Sequence, residues 1–178
     1  MNGAHSWLAC SSLALAVGAT AAASGAHVQR AGTRPSFQYS RSGGCHNVVV
    51  FASNESLTEL LLVRLDLDRN NLPTAARPLT LDLSTTSKTA RVELQMYATA
   101  AAFMPCSDLA TGGDFEPTIW TVRGGILSLT ATPPRSQDAE YPVTVTIERA
   151  VFEGPHQQRV AAPAPLVIKV LAGRVVGG

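Results

Sequence analysis

Ala90-Arg91-Val92-Glu93-Leu94-Gln95-Met96-Tyr97-Ala98 is the stretch whose reading decides the fold class. Ala90, Val92, Leu94, Met96 and Ala98 fall on one side of an extended chain, and Arg91, Glu93, Gln95 and Tyr97 fall on the other. Successive side chains of a strand alternate across the pleat, so this period of two predicts a half-buried β-strand.

The same signal recurs on both sides of it. Upstream, Leu79, Leu81 and Leu83 alternate with Thr80 and Asp82. Leu57 to Asp68 admits two readings. Ser56 with Glu59 forms a capping-box pattern ahead of a Leu57, Leu60, Leu61, Leu65 helical stripe. Against it, Leu61, Val63, Leu65 and Leu67 alternate with Arg64, Asp66 and Asp68, and the segment is read as a strand. Val48-Val49-Val50-Phe51 is a β-branched run suited to a strand buried on both faces. Phe37 to Ser40 is read as a short strand, followed by a Ser42-Gly43-Gly44 turn. Downstream, Thr118 to Arg123 and Ile126 to Thr130 flank Gly124-Gly125, which predicts a hairpin because the turn needs positive φ. Tyr141, Val143, Val145 and Ile147 alternate with Thr144, Thr146 and Glu148, and Pro142 confines the start of that strand to an edge or a first position. Leu166 to Leu171 follows the Pro163 and Pro165 breakers as a last strand. Roughly eight short strands punctuated by Gly, Pro and Asn are the pattern of an all-β chain, and a single β-sandwich, Ig-like or of similar two-sheet architecture, is expected.

The chain of 178 residues suffices for one such domain, and its 46% hydrophobic residues can fill a core. Charged residues make up only 15%, and 14 basic against 13 acidic side chains leave a net charge of +1. That balance lacks the basic excess of nucleic-acid or anionic-membrane binders, and 6% aromatic content offers no stacking platform.

The first Lys or Arg is Arg30, and before it Trp7 to Ala23 is apolar and rich in small residues. With Ser24-Gly25-Ala26 as small residues ahead of His27, residues 1–26 are read as a secretory signal peptide, and Ala21-Ala22-Ala23 is a competing cleavage site. The segment carries His5 but no Lys or Arg, which departs from the usual leading charge. A membrane anchor is the alternative, opposed by the Ala, Ser and Gly content; no later segment is long and apolar enough to span a bilayer. Residues 27–35 are read as a flexible leader and 36–178 as the β-sandwich domain.

Cys10 would leave with the signal, and Cys45 and Cys106 remain. In an oxidising compartment an even pair reads as a disulfide, worth up to about 4 kcal/mol for so long a loop. Two buried free thiols, or one thiol serving a metal, are the alternatives.

No motif carries a catalytic assignment. Asp66, Asp68 and Asn70 stand at the first, third and fifth positions of a calcium-loop pattern, but Asn71 replaces the sixth-position Gly and Arg77 the twelfth-position Glu. A strand end that turns at Asn70-Asn71 is the plainer reading. His46, Met104, Cys106 and His156 are the residue types of a small copper site, without the clustered spacing such sites need. Asp108, Asp114 and Glu116 lie in a loop around Gly112-Gly113 that could bind a ligand or be simply solvated. Nucleophile elbow, phosphate-binding loop and dinucleotide fingerprint are absent from the sequence. Asn54-Glu55-Ser56 is a glycosylation sequon where the source modifies such sites.

These readings converge on an exported, periplasmic or extracellular, non-enzymatic module with a structural or partner-binding role and no cofactor. Another exported protein or a surface component is the expected partner. Two alternatives stand beside it: a strand-exchanging subunit of a surface assembly, and a small exported metal protein or hydrolase whose site is built from loops.

Overall fold

The computed structural model describes residues 34–45, 48–67, 72–85, 89–100, 105–106, 116–132 and 139–173. They form nine strands: β1 (Arg41–Cys45), β2 (Val49–Ser53), β3 (Glu59–Leu65), β4 (Leu79–Asp82), β5 (Ala90–Met96), β6 (Thr118–Ala131), β7 (Tyr141–Glu153), β8 (Arg159–Ala161) and β9 (Leu166–Ala172). No α-helix occurs among the described residues; a single 3-10 turn at Pro155–Gln157 joins β7 to β8. All nine strands belong to one antiparallel sheet, in the order β1-β2-β3-β5-β6-β7-β8, with β4 also bonded to β6 and β9 to β7. The strand reading of Leu57–Asp68 holds over Glu59–Leu65, since Ser56 and Glu59 cap no helix and β3 begins at Glu59 itself; Asp68 lies outside the described residues.

The expected hairpin at Gly124-Gly125 does not form. Thr118 to Ala131 is one continuous strand, and β7 runs beside it for almost its whole length. The glycines instead mark a bulge: the register shifts between Val122 and Gly124 and again between Gly124 and Ile126. Gly125 takes φ +123, and a Cβ there would lie 2.8 Å from the Glu148 carbonyl oxygen. Opposite it Arg149 has φ +52. A Gly pair supplies positive φ equally to a two-residue turn and to a bulge. Pairing of the flanks decides between them, and here both flanks pair with β7 rather than with each other. The kink divides β6 and β7 into two lengths each. The first length of β6 bonds to β5 and the second to β4, while β7 bonds to β9 along its first length and to β8 along its second. Pro142 is the second residue of β7, opposite Leu171 of β9.

At the start of the domain the expected strand and turn are displaced. Phe37 to Ser40 is irregular, and Ser42-Gly43-Gly44 lies inside β1 rather than in a turn. Both glycines answer to close approach. The Phe51 ring occupies the place where a Gly43 Cβ would stand, and a Cβ on Gly44 would lie 2.9 Å from Val170 Cγ2 and 3.0 Å from the Leu171 carbonyl oxygen. β1 therefore abuts β9, and Ser42 Oγ reaches the Lys169 carbonyl at 3.5 Å. The path β1-β2-β3-β5-β6-β7-β9 alternates direction at every step and has an odd number of strands. The sheet curls until its first and last strands lie side by side, running the same way.

Inside the curl sits the main core. Leu61, Val63, Leu94, Trp120, Leu127, Leu129, Val145, Ile147, Phe152 and Ile168, drawn from five strands, are buried in one cluster. Phe37 and Tyr39 pack against its end, with the Phe37 and Phe152 ring centroids 5.7 Å apart. The opposite face of β2, β3 and β5 is solvated only at Arg64 and Arg91 and is otherwise covered, contrary to the half-buried expectation for Ala90–Ala98. Phe51, Leu60, Leu62 and Tyr97 form a second buried cluster there, packed by Val49 and Cys106. Glu93 and Gln95 on the same face are only 7% and 8% exposed. The expected Cys45–Cys106 disulfide is present, with the Cα atoms 5.8 Å apart, and it anchors the chain over this outer face.

Candidate functional site

The sheet forks beside β6. β5 pairs with Thr118–Thr121 and β4 with Ile126–Leu129 on the same flank, where the Gly125 carbonyl also accepts from Leu83 N at 2.9 Å, so Val122 to Gly124 has no ladder partner there. A cleft of about 660 Å³ opens at the fork, a volume typical of small-ligand sites. Its walls come from four places: Arg64 to Asp66 at the end of β3, Thr89 to Glu93 on β5, Thr121 to Arg123 on β6, and Leu83 to Thr85 after β4. Ala90 and Val122, both half-buried, supply apolar surface over the buried Leu65, Leu83 and Val92, and Arg64, Asp66, Arg91, Glu93 and Arg123 supply charge.

Register sets the electrostatics. Arg64 and Arg91 are Cα partners across the β3–β5 ladder, an arrangement of like charges that costs stability unless compensated. Arg91 donates from Nε to Glu93 Oε1 at 2.7 Å, and its Nη2 reaches the same oxygen at 2.5 Å. The second oxygen of Glu93 accepts from Gln95 Nε2 at 3.5 Å, and Gln95 Oε1 accepts from the Tyr97 hydroxyl at 2.7 Å. Alternate residues of β5 thus form a polar chain along its outer face. Burial pushes the Tyr97 phenol above its ordinary pKa. Arg123 donates to Glu153 Oε1 at 3.1 Å and Arg159 to Glu153 Oε2 at 2.9 Å. Hydrogen bonding from Arg159, then from Arg123, holds the Glu153 carboxyl below the usual range. Arg64 has no carboxylate partner among the described residues.

The turn that closes the cleft is built by Asp82. Its Oδ1 accepts the Ser84 backbone N–H at 2.8 Å, and its carbonyl accepts Thr85 Oγ1 at 3.0 Å. The Ser84 backbone donor, followed by the Ser84 hydroxyl and the Arg149 charge, lowers the Asp82 pKa.

A second, more open groove of about 860 Å³ runs between Ser36–Ser40 and Asn54–Ser56. Its floor is ordered by two side chains. Asn54 Oδ1 accepts from the Thr58 and Glu59 backbone N–H groups at 2.9 and 3.1 Å, and Asn54 Nδ2 donates to Thr58 Oγ1 at 3.0 Å. The sequon asparagine is therefore committed to its own turn. Glu59, 1% exposed, accepts from Ser36 N at 2.7 Å, Ser36 Oγ at 2.8 Å and Phe37 N at 2.9 Å.

Of the residues singled out from sequence, Cys106 is committed to the disulfide, and His156 lies in the 3-10 turn with φ 56. Asp66 and Glu116 are exposed, and Asp66 alone lines the cleft. His46, Asp68, Asn70, Asn71, Met104, Asp108 and Asp114 lie outside the described residues. Among the described residues no group of three or more His, Cys, Asp and Glu side chains is placed to hold a metal ion, and no helix is long and apolar enough to cross a membrane. Arg91 and Glu93 were visible as the polar face of a strand, and Arg64 as that of another. Their convergence with Arg123 depends on strand order and register, which no local pattern encodes.

Comparison of the chain with protein-family models, curated proteins and solved structures finds no match in any of the three.

Proposed function

We propose that this chain is an exported, non-enzymatic β-sandwich module that binds a partner or ligand through the cleft at the fork of the sheet. The cleft itself carries the reading: its polar side chains project from strands of a packed sheet, which holds them in place before any ligand arrives. Two further observations support it. The Cys45–Cys106 disulfide is compatible with an oxidising, extracytoplasmic location. The kink at Gly125 and Arg149 divides β6 and β7 into two lengths that contribute to one core, which is compatible with a two-layer arrangement.

Two measurements test this. Intact mass of the exported protein should start near His27 and rise by about two daltons on reduction, two protons per bridge; a mass beginning at Met1 would remove the export reading. Amide chemical-shift mapping of the isotope-labelled mature protein against a fragment library should place saturable shifts on Arg64, Thr89–Glu93 and Thr121–Arg123. Shifts confined to other surfaces would overturn the cleft as the binding site, and turnover of a fragment would overturn the non-enzymatic role.

A further inference from the structure

We infer that the cleft takes a small organic anion, its carboxylate or phosphate seated on Arg64 and Arg91 and its apolar body on Ala90 and Val122; this rests on the cleft being the binding site.

Charge balance within the cleft leads there. Among the described residues, three arginines, Arg64, Arg91 and Arg123, line it against two carboxylates, Asp66 and Glu93, an excess of one positive charge. Glu93 is spent on Arg91, since Nε and Nη2 of that side chain converge on its Oε1. Arg123 has a carboxylate partner beyond the cleft, in Glu153. Arg64 faces Arg91 across the ladder with no carboxylate of its own among the described residues. Two guanidinium groups side by side, one unneutralised, match an oxyanion that can accept from both, because the planar fork offers paired donors at the spacing of carboxylate or phosphate oxygens. The apolar residues set the ligand class further: Leu65, Leu83 and Val92 are already covered by the core, but a bare inorganic ion would leave the half-buried Ala90 and Val122 open to water, whereas a ligand with a hydrocarbon body covers them. The Asp66 carboxylate on the rim disfavours a ligand with several negative charges.

The test uses the full mature protein with four probes: benzoate, phenyl phosphate, benzyl alcohol and inorganic phosphate, read by amide and Arg Nε shifts and by calorimetry. Benzoate or phenyl phosphate should bind saturably, weaken with added salt and shift the Arg64 and Arg91 Nε signals. Whichever of the two binds more tightly identifies the oxyanion. Arg64→Gln should weaken that binding about tenfold or more, as loss of a charge-assisted pair of hydrogen bonds does, and Asp66→Asn should tighten it. The second variant keeps the test decisive should the first fail to fold. Equal binding of benzyl alcohol in the cleft would overturn the anion inference while leaving the cleft as a ligand site. Inorganic phosphate binding as tightly as phenyl phosphate would overturn the organic part. Absence of shifts in the cleft with every probe would overturn the inference, and the fragment mapping would show separately whether the cleft binds anything else.

Discussion

Glu59 shows how far one side chain can govern a region. A buried carboxylate is costly unless its oxygens are hydrogen-bonded, and this one accepts from the backbone and hydroxyl of Ser36 and from the backbone of Phe37. It thereby draws the start of the domain across the end of the core, where Phe37 and Tyr39 pack. Burial, and next the charge of Glu59, push the Tyr39 phenol well above its ordinary pKa. The sign follows from linkage: a pKa raised in the folded state contributes stability present below the unfolded value and lost as pH climbs past it. Stability should therefore decline as pH rises beyond about 10, where an unfolded tyrosine ionises. Urea midpoints recorded between neutral and alkaline pH should show this, and Tyr39→Phe should flatten the decline. Tyr97 shifts in the same direction, so the flattening is partial. Sequence offered a capping box at Ser56 and Glu59, which placed Glu59 correctly as an acceptor of backbone N–H groups. It misassigned the recipients, because a local motif cannot reveal a partner more than twenty residues away.

At the level of the element, the alternating segments were legible and the glycines were not. β4 and β5 fall where the period of two puts them, since that signal is intrinsic to a strand with one face on a core, and β9 follows the Pro163 and Pro165 breakers as expected. β8 is three residues long, too short to show a period. Gly124-Gly125 was misread because backbone freedom is common to turns and bulges. In its real role Gly125 is demanding: Gly125→Ala would place a Cβ at φ +123 against the Glu148 carbonyl. A cost of about 1–3 kcal/mol is expected, visible as a lower urea midpoint with an unchanged m-value. The outer face of β3 and β5 was read as solvated because its cover is brought by the disulfide from distant sequence. Replacing Cys45 and Cys106 together by serine should cost up to about 4 kcal/mol in guanidinium unfolding. The same variant should expose Phe51, Leu60, Leu62 and Tyr97 to a hydrophobic dye, since Cys106 packs against that cluster.

Taken whole, the molecule carries a net charge of +1 and pairs part of its charge: Arg123 and Arg159 share Glu153, and Arg91 holds Glu93. Glu153 and Asp82 both have pKa values lowered by their donors. A lowered carboxylate contributes stability above its unfolded pKa and loses it as pH falls through the folded value, so acid unfolding should set in below about pH 4.3. Glu153→Gln should make thermal midpoints less dependent on pH in that range. Asp82 is exposed and the arginine partners of Glu153 reach solvent, so added salt should shrink the effect. The cleft emerges only at this scale. Arg64, Arg91 and Arg123 are spread along the chain, and composition near neutrality gave no hint that three of the basic side chains would line one hollow.

The direction shared by β1 and β9 has a mechanical consequence. Because these neighbours point the same way, the chain enters at one end of their common border and leaves at the other. A molecule tethered by its two termini would take tension lengthwise along that border, loading its contacts together in shear instead of peeling them apart one at a time. The seam between first and last strands, rather than the fork of the sheet, is then where a stretched copy of this protein would yield.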